Sequence, residues 1–205
     1  VHMTSTPGVF QPNLGSGTTQ GDDAFVAKVN PDGASLAYLT FLGGTGGEQG
    51  WDIAVDAQGE VVVAGTNSNG GFPVTAGAYQ TTYGDQGGIP YGDAFIAKIN
   101  ADATVKIFAT YLGKAGEDSG RGVGYDDQGR VWVAGNTNSQ NFPTTAGAVK
   151  GSWNAAWVAS PYLTLLSADG SAVDYSTYLN DNSWSVAYDF TTDAGPEQFT
   201  LGCWV

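Results

Sequence analysis

Nucleophilic catalysis through a Ser-His-Asp or Cys-His relay needs an imidazole to take the proton. The only histidine is His2, in a Val1-His2-Met3 start that reads as a cloning remnant. A histidine-based metal site fails on the same count. Cys203 is the only cysteine, so neither an internal disulfide nor a thiolate zinc site can be built. Between Gly202 and Trp204, in an apolar last strand, it reads as a small buried hydrophobe. No GxGxxG runs from a strand into a helix, and there is no phosphate loop ending in GK[ST]. What remains is carboxylate chemistry. Glu48 with Asp52, and Glu117 with Asp118, could act as paired acid and base across a sugar bond or offer hard oxygens to calcium. Neither Gly46 to Asp52 nor Gly116 to Gly122 alternates as DxDxDG, so solvated, turn-capping acids are the favoured reading and calcium a weak one.

The aromatic residues are the better lead. Tyr83, Tyr91 and Trp153 lie in long connections, and Trp51, Arg121 and Trp184 align with one another at a loop-to-strand position. Exposed aromatics and arginine stack on sugar rings and dominate protein interfaces; the competing reading is packing between sheets. Trp132, inside Val131-Trp132-Val133-Ala134-Gly135, reads as core. Lys28 and Lys98 recur at one strand position where Leu165 stands in a third copy, and are expected to snorkel from a strand edge. On that reading Lys98→Met is harmless.

These residues are positioned by a repeat. Residues 23–80 match residues 93–150 at an offset of 70 without a gap, with 25 identities in 58 positions. DAFVAK (Asp23 to Lys28) pairs with DAFIAK (Asp93 to Lys98), and DAQGEVVVAG (Asp56 to Gly65) with DDQGRVWVAG (Asp126 to Gly135). FPVTAGA (Phe72 to Ala78) pairs with FPTTAGA (Phe142 to Ala148). An eroded third copy follows, with Ser160 to Gly170 for the first strand and STYL (Ser176 to Leu179) at an offset of 67. After a shortened loop, SVAYDF (Ser185 to Phe190) aligns with GVGYDD, and Gln198 to Val205 gives a last strand. TPGVFQ (Thr6 to Gln11) resembles TAGAYQ (Thr75 to Gln80), so the chain starts in an inter-repeat linker.

Period-two alternation at Phe25, Ala27 and Val29, and turns at Asn30 to Gly33 and Asp56 to Gly59, predict four strands per unit, near 23–30, 36–43, 51–56 and 60–66. The expectation is all-β: a single domain over 4–205, with linker at 4–11 and units at about 12–80, 81–150 and 151–205. Each unit is expected to be a four-stranded antiparallel propeller blade.

The run from DAFVAKVNPDG through GWDIAVDAQGEVVVAGTNS to FPVTAGAYQ resembles the bacterial SBBP repeat of seven-bladed β-propellers in secreted and cell-surface proteins. The resemblance implies a fold and an extracellular or surface setting; it implies no activity, because the repeats share no catalytic residues.

Three blades cannot close a ring, since propellers need about four to eight. The expected partners are therefore a second copy completing six blades, further copies in a head-to-tail filament, or the rest of a larger propeller. Pro7, Phe10, Phe199, Leu201 and Trp204 are expected at such a junction. A net charge of -13 argues against nucleic acid and anionic membranes, and no apolar run reaches the ~18 residues of a spanning helix. Three functions stay in competition: a non-catalytic extracellular interaction module, a carbohydrate-binding propeller, and a carboxylate-dependent carbohydrate-active enzyme.

Overall fold

The computed structural model describes residues 3–15, 22–84, 92–153, 159–179, 186–192 and 199–204, the last two segments as backbone. Their regular structure is entirely strand. The strands are β1 (Ala24–Val29), β2 (Leu36–Leu42), β3 (Gly47–Val55), β4 (Val61–Ser68), β5 (Asp93–Ile99), β6 (Lys106–Leu112), β7 (Asp118–Tyr125), β8 (Val131–Thr137), β9 (Ser160–Leu166), β10 (Val173–Tyr178), β11 (Val186–Thr192) and β12 (Phe199–Trp204). All pairings are antiparallel.

The strands group differently from the sequence units. Two four-stranded sheets, β3-β4-β5-β6 and β7-β8-β9-β10, are flanked by two-stranded sheets β1-β2 and β11-β12. Each complete blade joins the second half of one unit to the first half of the next. The expectation of one blade per unit is corrected in this respect, and the reason lies in the connections. The long segment 69–92 stays within a blade, because β4 and β5 pair along their whole length. The short segments 43–46 and 113–117 make the step to the next blade. Identity between repeats fixes the period but is blind to where in the period a sheet begins.

The tight turns form as the residue types require. Gly33 and Gly59 take φ of 67° and 79°, closing onto the carbonyls of Asn30 and Asp56. Asp56 Oδ1 accepts from the N–H groups of Gln58 and Glu60, and Asp126 Oδ1 from those of Gln128 and Arg130, so both acids brace their turns.

Each blade is apolar on both faces. Val61, Val63, Phe95, Ala97 and Ile99 pack with Ala24, Val26, Tyr38 and Leu42 of the half-blade on one side. Val62, Ala64, Ala94 and Ile96 turn the other way, onto Val123, Val131, Val133, Tyr162 and Leu166 of the next blade. Linker phenylalanines close the seams: Phe72 lies 4.5 Å from Phe95, and Phe142 lies 4.3 Å from Tyr162, ring to ring. Opposite Phe95 stands Gly65, where a Cβ would come within 2.5 Å of the ring. Trp132 is buried at the next seam with Leu163 and Leu165, as expected of a core residue. The edge strands β3, β7 and β11 meet in succession, so the sheets fan out from that line.

Phe95→Ala removes a ring that is wholly buried between two blades. It is expected to cost about 3–5 kcal/mol in a urea titration, the range for emptying a large aromatic site; a loss below about 1 kcal/mol would mean the seam collapses around the gap.

Candidate functional site

The innermost strands carry one recurring irregularity. In β3 the ladder to β4 slips between Gly50 and Asp52, and in β7 the ladder to β8 slips between Gly120 and Gly122. The extra residues are Trp51 and Arg121, the pair aligned from sequence, and a bulge re-aims the side chain it carries. The Arg121 guanidinium lies over the Trp51 ring, 3.9 Å from its centroid. The Trp51 indole N–H donates to Thr66 Oγ1 at 3.0 Å, leaving the ring half exposed. In β11 the slip falls between Ala187 and Asp189, so the equivalent residue is Tyr188, not Trp184. Matching the letters of SVAYDF to GVGYDD set that strand out of register by four; the ladder keeps the offset of 67 already present at Ser176. Trp184 itself, like Tyr91, lies outside the described residues.

Beside Trp51 an open cleft of about 470 Å³ separates β1 from β3, lined by Asp23, Ala24 and Phe25 on one side and by Glu48 to Trp51 on the other. Tyr83 and Trp153 do not reach such a surface. They occupy equivalent linker positions and pack on Tyr111 and Tyr178, with centroid distances of 5.7 and 6.2 Å. Trp153 is buried, so its reading as a ligand contact is corrected to blade-seam packing.

The acids divide by position. Glu48 and Asp118 are equivalents that open β3 and β7, both buried. Glu48 accepts from Asn67 Nδ2 at 2.5 Å and from the Gly44 N–H at 3.1 Å. Asp118 Oδ2 accepts from the Lys114 N–H at 2.7 Å and from Ser139 Oγ at 2.8 Å. Asp52 sits past the bulge and crosses to the next blade, its Oδ2 accepting from the Val123 N–H at 2.8 Å. Glu117 is exposed on the connection. Among the described residues no three carboxylates, cysteines or histidines converge on one point, and these four acids do not form one cation cage.

A second acid stands next to each buried one. A Cβ on Gly43 would lie 2.6 Å from both Asp23 Oδ1 and Glu48 Oε2; one on Gly113 would lie 2.9 Å from Asp93 Oδ1 and 2.6 Å from Asp118 Oδ2. Gln80 ties this pair to the linker: its amide donates to Asp93 Oδ2 at 3.2 Å and accepts from the Gly113 N–H, while the Gly84 N–H also donates to Asp93. Gln11, Asp23, Gly43 and Gly15 repeat the arrangement. Sequence reading passed over these glutamines, although their recurrence at the end of TPGVFQ and TAGAYQ was the available signal. The second copy of the clamp is buried and the first lies beside the open cleft; in both it fastens linker to blade.

Burial, reinforced by the charge of the neighbouring acid, pushes the carboxyls of Glu48 and Asp118 up to about 7 against the pull of their hydrogen-bond donors. The folded chain therefore holds protons that ordinary carboxyls release near 3.8 to 4.5, and stability falls as pH rises from there through about 7. In Asp118→Asn the decline of Tm between about pH 5 and about pH 8 should flatten; an unchanged slope would show that Asp118 titrates as an ordinary acid.

Lys98 corrects another expectation. It lies on a central strand rather than an edge, buried, with Nζ 2.7 Å from Glu60 and 3.6 Å from Asp56, and 5.0 Å from the Tyr125 ring centroid. Lys98→Met is accordingly expected to cost about 1.5–3 kcal/mol in chemical denaturation, the range for hydrogen bonds to charged groups, rather than nothing.

A family model described as a beta-propeller repeat, SBBP, matches residues 107–143. The match begins in β6, the outer strand of one blade, and runs through β7 and β8 of the next, so the family unit straddles a blade seam in the same way as the repeat of this chain. No curated protein matches the chain. The fold and the repeat together define a propeller-type interaction module.

Proposed function

We propose that this chain is a non-catalytic, extracellular interaction module that assembles with copies of itself through its first apolar face. The observation that carries the reading is a set of matched exposures. Phe25 is 52% exposed where its equivalent Phe95 is 0%, Val29 58% where Ile99 is 1%, and Ile53 50% where Val123 is 3%. One surface is sealed by a neighbouring blade in the second unit and bare in the first. Several adjacent bare aliphatic and aromatic side chains form the kind of patch that monomeric proteins rarely leave in water. The setting outside the cell rests only on the resemblance of the repeats to those of secreted and cell-surface proteins.

Trp51 beside the Asp23 carboxyl in an open cleft favours one further reading, a sugar-binding site, since an indole face and an acid suit a pyranose ring. A glycan array on the chain and on Trp51→Ala separates that reading from self-association. For the first reading, static light scattering is expected to give at least twice the 21.1 kDa chain mass. Ile53→Glu, which places a charge on the bare face, should return the mass to a single chain with little change in thermal stability. A wild-type chain that stays monomeric at high protein concentration would remove self-association.

A further inference from the structure

We propose that strand β12 of one copy adds to strand β1 of a second copy, so that two half-blades become one composite blade. This deepens the self-association reading and rests on it. The chain builds the required ladder twice. In each complete blade the second and third strands pair antiparallel, β4 with β5 and β8 with β9, in the same register, with Val61 opposite Ile99 and Val131 opposite Leu166. By ladder position β12 is a second strand and β1 a third strand. Among the described residues β12 pairs only with β11, and β1 only with β2. The edges are the two sides of one seam, and an unpaired edge recruits a matching strand.

The place for the incoming half exists. The cleft between β1 and β3 lies where β11 and β12 of another copy would enter, with β11 resting on Ile53 and Val55 as β3 rests on β7. Asp189 of β11 holds the register position of Asp52, the acid that crosses to the Val123 N–H, and Ile53 is the matching receiver. Each copy carries two whole blades and two complementary halves, so two copies close a ring of six, within the size range of propellers.

Transferring the register of the closed ladders places Cys203 opposite Phe25, Leu201 opposite Ala27, and Phe199 opposite Val29. In the closed ladders the place of Cys203 is held by Gly65 and Gly135. A side chain there requires the residue 25 ring to stand aside, and Phe25, half exposed, is not held as Phe95 is. Phe25→Cys removes the ring and puts a thiol across from the only native one. Antiparallel partners lie about 4.5–5.5 Å apart at Cα, inside the range of about 4.4–6.8 Å that a disulfide spans.

The test is mild oxidation of the 205-residue Phe25→Cys chain, with Asp32→Cys, at the far turn of the β1–β2 hairpin, as the control. The expected result is a shift of most of the chain from the 21.1 kDa band to one of twice that mass, with no such shift for Asp32→Cys. Mass spectrometry should then find a disulfide-linked peptide that joins the substituted position 25 to Cys203. Should Phe25→Cys fail to fold, Ala27→Cys with Leu201→Cys and Cys203→Ser reads the same register. A wild-type dimer in light scattering with neither link formed overturns strand addition and leaves self-association standing; a monomer overturns both. A disulfide from the substituted position 25 to Cys203 within one chain overturns the second copy as the occupant.

Discussion

A sheet with apolar side chains on both faces must be covered twice, and this requirement shapes every other feature of the molecule. Successive residues of β4 face opposite neighbours, Val61 and Val63 toward one blade and Val62 and Ala64 toward the other. Alternation of this kind is ordinarily half polar, as on a sheet with one wet side; here both sides are dry. No blade is then stable as a unit by itself, and each contributes one face to its neighbour's core. The linkers serve the same end. Thr75 bonds with the edge strand β6 through Ala109, Tyr79 N–H reaches the Gly170 carbonyl of the next blade, and the Phe72 ring enters the seam on the other side, against the β1-β2 half-blade. On the first side of the stack the equivalent face, with Phe25 and Val29, is exposed.

The same requirement explains why chemistry is scarce where the sequence offered acids. A dry seam holds a carboxyl only if the carboxyl is hydrogen-bonded or neutral. Glu48 and Asp118 meet this by both routes, gathering backbone and side-chain donors while burial holds them protonated up to about 7. Their acidic neighbours Asp23 and Asp93 receive a glutamine amide and a backbone N–H. The hydrogen bonds of these carboxyls run to linker and turn, although Asp23 and Glu48 also line the open cleft beside Trp51. Their proximity in pairs, which could suggest acid and base catalysis, follows from two strand starts meeting at a glycine.

Much of the architecture was legible from residue types. The repeat of DAFVAK and DAFIAK, the Asp-to-Gly turns and the aligned Trp51 and Arg121 all correspond to physical features: strand, braced turn and bulge. The half-blade offset was not legible, because a repeat looks the same from any starting point and only hydrogen bonding across segment 69–92 shows which strands share a sheet. The surroundings of Lys98 are hidden for the same reason. Its strand is an edge if the sheet ends at the repeat boundary and central once β4 is placed beside it, where Glu60 and Asp56 supply the counter-charge. Trp153 looked like a loop aromatic because its blade partner Tyr178 belongs to a strand 25 residues further on.

The differences between repeats behave as coupled substitutions. In the first complete blade Lys98, on the third strand, neutralises Asp56 and Glu60 of the preceding turn. In the second the strand residue is Leu165, and the place of Glu60 is taken by Arg130, whose Nε lies 2.6 Å from Asp126. The turn aspartate keeps a cation in both blades while the cation moves from strand to turn. The linker clamp changes in concert as well: where Lys150 replaces Gln80, Ser160 replaces Asp93. An aspartate buried without its glutamine would lose a donor in a dry seam, whereas a serine hydroxyl there satisfies itself on the Pro161 carbonyl. Erosion of the third unit therefore proceeds by whole interactions, partner with partner. That is the pattern expected of side chains held by the contacts they make within the stack of blades.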